Sequence, residues 1–155
     1  MRRAILALLL VVGAVAFAAP AEDFSSVIDF SISTADLVQL IQTEQYDRID
    51  SEKLLILQGS VASTLVLDPT VETYQALVEL VASRWVGLES IEVYRVYVLL
   101  EGSDFSNRVV ERLPRDPGPE IILTNSELLV VAAFVGVADG ADGSAIPVVT
   151  AIDLR

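Results

Sequence analysis

The stretch LLILQGSVASTLVL, Leu54–Leu67, decides how the chain is read. Leu55, Leu57, Val61, Leu65 and Leu67 share one parity, and Gln58, Ser60 and Thr64 fall on the other. A period of two marks an extended strand with one face in a core. Gly59 interrupts it near the middle, where a glycine weakens a plain strand but suits a bulge or a sharp bend at a barrel corner. A hairpin turning at Gln58–Ser60 is the competing reading of the same residues.

Two more long apolar runs follow. Ser90–Glu101 alternates Ile91, Val93, Tyr97 and Leu99 against Tyr94, Val96, Val98 and Leu100, which predicts a strand covered on both faces. Leu128–Ala138 is another strand, and Asp139–Ser144 (DGADGS) has hairpin-turn chemistry before a last strand at Ile146–Leu154. Asn107–Leu113 reads as a short returning strand, and Pro114–Pro119 (PRDPGP) as a rigid loop.

Helical spacing enters twice. Thr34, or Ser33, caps a short helix over about 34–44 with Leu37, Val38, Leu40 and Ile41 as its apolar stripe and Asp36 in its first turn. Asp68-Pro69 then opens a second helix over about 69–86, with Val71, Tyr74, Leu77, Val78, Val81, Ala82 and Trp85 at helical spacing and Gly87 as the stop. That spacing turns Trp85 toward the core.

LLILQGSVAS (Leu54–Ser63), YRVYVLLEG (Tyr94–Gly102) and NSELLVVAAFVGVADGADGSAIPVVTAIDL (Asn125–Leu154) together resemble bacterial exported OB-fold domains, the oligonucleotide/oligosaccharide-binding fold, over about residues 54–154. The resemblance implies an α+β chain, mainly an antiparallel β-barrel or curved sheet with two helices, and a ligand face across its second and third strands. The helix over 69–86 departs from the pattern, because such barrels more often carry theirs between strands three and four. An open α+β sheet with both helices on one face is the alternative architecture.

The amino terminus has its own signature. Arg2 and Arg3 precede the uncharged apolar run Ala4–Phe17, with small residues at Ala16 and Ala18 or at Ala19 and Ala21. This predicts a signal peptide over 1–18, with cleavage after Ala21 as the alternative, a globular domain over 22–155 and a periplasmic or extracellular destination. The run is shorter than the roughly 20 apolar residues of a spanning helix, and no transmembrane segment is expected in the mature chain.

Composition narrows the chemistry. The 155 residues include 22 acidic and 10 basic side chains, one Lys, no His and no Cys. Ser-His-Asp and Cys-His nucleophile systems and the usual zinc sites are therefore excluded, and no catalytic motif or cofactor site is found. Loss of Arg2 and Arg3 leaves 8 basic against 22 acidic residues, a net charge of −14. Affinity for a polyanion comes mainly from Lys and Arg on phosphates, so nucleic acid is expected to be excluded as a partner. Arg108, Arg112 and Arg115 lie along one segment, but Glu111 and Asp116 interleave with them, and they read as solvated surface residues. Asp139 and Asp142 in DGADGS are weak calcium candidates; the loop lacks the ligand pattern of an EF-hand, and a turn accounts for it.

The resulting expectation is an exported, non-enzymatic binding module of the cell envelope for a protein, peptide or saccharide, with Tyr94, Arg95 and Tyr97 as the ligand-binding candidates. The alternatives are an assembly partner pairing through exposed strand edges and, third, a small carboxylate-dependent glycoside hydrolase. Amino-terminal sequencing of the protein from an expressing cell's envelope fraction is expected to begin at Ala19, or at Glu22 for the alternative cut. An intact Met1 would overturn the leader.

Overall fold

The computed structural model describes residues 24–155, so the signal-peptide reading over 1–18 lies outside the described residues. Six strands and one α-helix make up the regular structure: β1 (Ile28–Asp29), α1 (Thr34–Gln42), β2 (Leu54–Asp68), β3 (Gln75–Val86), β4 (Ser90–Glu101), β5 (Glu127–Asp139) and β6 (Ala145–Leu154). Short 3-10 turns punctuate the connections.

The last five strands close a barrel in the order β2-β3-β4-β6-β5, with β5 returning to β2. All neighbours are antiparallel except β4 and β6, which run parallel from Tyr97↔Val148 to Leu99↔Thr150. This is the strand order of an OB-type barrel. It bears out the small OB-like barrel and removes the open-sheet alternative.

Closure depends on β2 serving two partners. Its first half, Leu54–Ser60, pairs with β5, and its second half, Ser60–Asp68, pairs with β3. The exchange happens at Gly59. A Cβ there would stand 2.6 Å from the Val81 carbonyl oxygen, a separation that real side chains do not tolerate. The mid-strand glycine is thus a bend that lets another backbone pass close by, and no hairpin forms at Gln58–Ser60.

The helix over 69–86 is corrected to a strand. Only Val71–Thr73 forms a helical turn, and Gln75–Val86 is β3, hydrogen-bonded to β2 and β4. Ala76, Val78 and Leu80 point inward and are fully buried, at a spacing of two. The local pattern fits both periods, and the ladders on both sides decide between them. Asn107–Leu113 is likewise turn and loop instead of a strand.

Helix α1 is the expected one, two residues shorter. Ser33 Oγ accepts from the Asp36 amide while the Asp36 carboxylate accepts from the Ser33 amide, a reciprocal capping box. Leu37 and Ile41 sink into the core, each burial contributing about 1.5–3 kcal/mol. Thr34 ties the helix to β2 by donating to the Gln58 carbonyl at 2.9 Å and accepting from its amide at 3.0 Å. The segment 102–126, where the resemblance would place a helix, instead packs Val109 and Ile122 into the core and is held by a 2.6 Å bond from the Tyr74 hydroxyl to the Val109 carbonyl. Among the described residues no helix is long and apolar enough to cross a membrane.

Gly59→Ala is expected to lower unfolding free energy by about 1–3 kcal/mol, as an overpacking substitution does, read from urea midpoints. An unchanged midpoint would mean that the Val81 carbonyl can move aside freely.

Candidate functional site

On the outer face of the barrel, β3 and β4 present paired side chains row by row: Leu77 beside Leu99, Glu79 beside Tyr97, Val81 beside Arg95, Ser83 beside Val93 and Trp85 beside Ile91. The last two rows lie beyond the barrel wall. β3 loses β2 past Val81, and β4 meets β6 only from Tyr97 onward, so residues 82–93 form an arm built from one hairpin. Gly87, with φ of +69°, makes its turn. The arm carries apolar side chains into solvent: Trp85 is 67% exposed and Leu88, at the tip, 97%.

Tyr94, Arg95 and Tyr97 do not form one patch. Strand alternation turns Tyr94 inward, where it is buried, and leaves Arg95 and Tyr97 outward and half-buried. Tyr94 anchors the root of the arm. Its hydroxyl donates to Glu92, Gln39 of α1 donates to that hydroxyl at 3.4 Å, and the Arg84 guanidinium lies 5.6 Å over its ring. The bond from Tyr94 holds the Glu92 carboxyl below its ordinary range, assisted by Arg84 at 3.2 Å. The same bond to Glu92 raises the Tyr94 phenol.

Arg95 is tied to the β5–β6 loop, donating to Asp142 at 2.5 Å and to Ser144 Oγ at 3.4 Å, with Glu79 at 4.0 Å on its other side. The Ser144 hydroxyl and amide donate to the other Asp142 oxygen. These Ser144 bonds, with Arg95 behind them, pull the Asp142 carboxyl down to about 2. A carboxylate so engaged is a loop clasp. Asp139 is exposed, and among the described residues no three metal-binding side chains come together.

Trp85 is the residue that the sequence reading placed wrongly. Helical spacing turned it to the core; as a strand residue beyond the last β2 partner it has nothing to pack on. The signal was present in Gly87-Leu88-Glu89, a short glycine-bearing link between two runs rich in β-branched residues.

No protein-family model matches the sequence, and no curated protein is significantly similar to it. Solved structures with a similar barrel include the protein PriB from Ralstonia solanacearum (11% identity, TM-score 0.39, 66% of this chain and 94% of that one). A small single-stranded DNA-binding protein from Streptomyces coelicolor is similar at 11% identity and TM-score 0.38, over 66% of this chain and 89% of that one. A mitochondrial single-stranded DNA-binding protein from S. cerevisiae follows at 12% identity and TM-score 0.39, over 69% and 95%. Two of these three are named as single-stranded DNA-binding proteins, against the expectation that nucleic acid is excluded as a partner, and that exclusion is withdrawn. The restriction of the ligand to protein, peptide or saccharide falls with that exclusion. The physical reason is that stacking of bases on exposed aromatic side chains contributes affinity that a count of charges leaves out. Closure of β5 onto β2 leaves the barrel wall without a free edge there, and the unpaired strand edges lie on the 82–93 arm.

Because the Asp142 carboxyl is depressed in the folded chain, its contribution to stability is present above about pH 4 and is lost as pH falls toward about 2. Asp142→Asn is expected to show a shallower loss of thermal stability across that window than the parent. Identical acid limbs would show that the clasp contributes nothing to folding.

Proposed function

We propose that this chain binds single-stranded nucleic acid non-catalytically, laying the strand across the outer β3–β4 face and arm. The observation that carries the reading is the exposed Trp85 on the arm of an OB-type barrel, on the same outward parity as Tyr97. Barrels of this kind take oligonucleotides on the face of their second and third strands, which here are β3 and β4. Every base has a π-face, so an exposed indole and a phenol on that face suit an unstacked strand of any sequence. Two of the similar barrels are single-stranded DNA-binding proteins by name, which supplies the probe.

The charge of the chain shapes the mode. With 22 acidic against 10 basic residues, and Arg95, the arginine on this face, held by Asp142 and Glu79, phosphate neutralisation on the face itself is small. Stacking and apolar contact with Trp85, Leu88 and Ile91 then supply most of the affinity, at about 1–3 kcal/mol for each stacked base. Such binding falls with salt less steeply than that of a basic protein.

Trp85 is the only tryptophan, so its fluorescence reports the face directly. Titration with an oligothymidylate of about 15 nucleotides is expected to quench it. Trp85→Ala is expected to weaken binding at least tenfold when a labelled oligonucleotide is followed by anisotropy. No quenching at low salt, or equal affinity of parent and variant, overturns the reading.

A further inference from the structure

The loop joining β4 to β5 holds cations that the fold leaves unneutralised. Among the described residues the ion pairs are Arg84–Glu92, Arg95 with Glu79 and Asp142, and Arg155–Asp153. Arg108, Arg112 and Arg115 have no carboxylate within 4.0 Å, although Glu111 and Asp116 are interleaved with them. Arg48 and Lys53 also lack an ion pair, but they lie apart in the chain, whereas these three fall within eight residues of one loop.

Arg108 is also not the solvated residue that its sequence neighbourhood suggests. It is half-buried, and its Nε is sequestered with no hydrogen-bond partner. Its backbone is fixed: the Arg108 carbonyl accepts from the Ile122 amide at 2.7 Å, and the next residue, Val109, is buried and bonded to Tyr74. Further along, the Asn125 amide donates to the Val61 carbonyl at 2.7 Å, tying the loop to β2. A guanidinium carried on a stitched-down backbone is pre-positioned, and its planar fork matches phosphate oxygens.

Connectivity places this loop at one end of the proposed face. It leaves from the end of β4 and bonds to Tyr74 just before β3, whereas the arm with Trp85 stands at the other end of the same hairpin. Resting on the single-strand reading above, we propose that Arg108, Arg112 and Arg115 form the phosphate-contacting end of the site, separate from the stacking end at Trp85. The chemistry recognised is the phosphate oxyanion, whose source is a phosphodiester of the bound strand.

The test uses the full mature chain and a labelled oligothymidylate, with anisotropy measured from low to physiological salt. Each phosphate contact contributes about 0.7 to the log–log salt slope for single strands. Replacing Arg108, Arg112 and Arg115 by Gln is expected to lower the slope by about 2, while Trp85→Ala lowers affinity and leaves the slope unchanged. If the triple variant unfolds, Arg112→Gln with Arg115→Gln, both at exposed positions, is expected to lower the slope by about 1.4. Parental slope and affinity in a folded arginine variant overturn this inference and leave the single-strand reading standing. Failure of the parent to bind the oligonucleotide overturns the reading. If in that case inorganic phosphate stabilises the parent thermally and not the arginine variant, the site belongs to a free anion and its assignment to a strand is overturned.

Discussion

One strand holds the barrel together by changing partners. β2 spends its first half on β5 and its second on β3, and the change requires the Val81 backbone to cross Gly59 where any side chain would collide with it. Without that crossing β5 has no edge to return to, and the sheet stays open. Everything that positions the candidate site follows: β3 continues beyond the point where β2 leaves it for β5, the arm beyond Val81 has no wall to lie on, and the β4–β5 loop is drawn across the opposite end.

The two ends of the barrel are covered by different means. Helix α1 supplies Leu37 and Ile41 from outside the barrel sequence, anchored by the pair of bonds between Thr34 and Gln58. The loop over 102–126 has no α-helix, only a 3-10 turn at Ser103–Phe105, and relies on single buried residues, Val109 and Ile122, and on the Tyr74 hydroxyl. A loop held at a few points can keep polar side chains such as Arg108 partly enclosed, which a helix cap with a continuous apolar stripe would not. The distribution of charge follows the same division. Arg84 and Arg95 on the β3 and β4 strands are captured by a cross-strand and a loop carboxylate, and the arginines of the β4–β5 loop are not.

Much of the fold was legible in the residues, and the failures share a cause. Leu54–Leu67, Ser90–Glu101 and the hairpin after Asn125 show a period of two with suitable turns, and each is a strand. Gln75–Val86 was misread because Leu77, Val78, Val81, Ala82 and Trp85 satisfy a helical period while Ala76, Val78 and Leu80 satisfy a strand period. Gln, Ala, Leu and Glu favour helix, and Asp68-Pro69 imitates a helix start. The two ladders flanking the segment outweigh these preferences, and none of the residues supplying them is local to it. The error moved Trp85 from surface to core, which hid the arm. Tyr94 and Tyr97 already fall on opposite parities of their strand in the sequence, and the barrel turns the first inward and the second outward.

By itself the sequence determined features whose partners lie within a few residues. The helix start at Ser33 or Thr34, the Asp139–Ser144 turn, the inward parity of β2 and the absence of His and Cys are of this kind, because their causes are local hydrogen bonds, side-chain alternation or composition. Tertiary structure decided what depends on distant pairing: that 75–86 is extended, that Gly59 faces Val81, that Tyr94 reaches Gln39 and that Arg108 is enclosed beside Ile122. An ambiguous segment takes the period that lets its backbone amides find partners, and those partners belong to strands that only the closed barrel brings alongside.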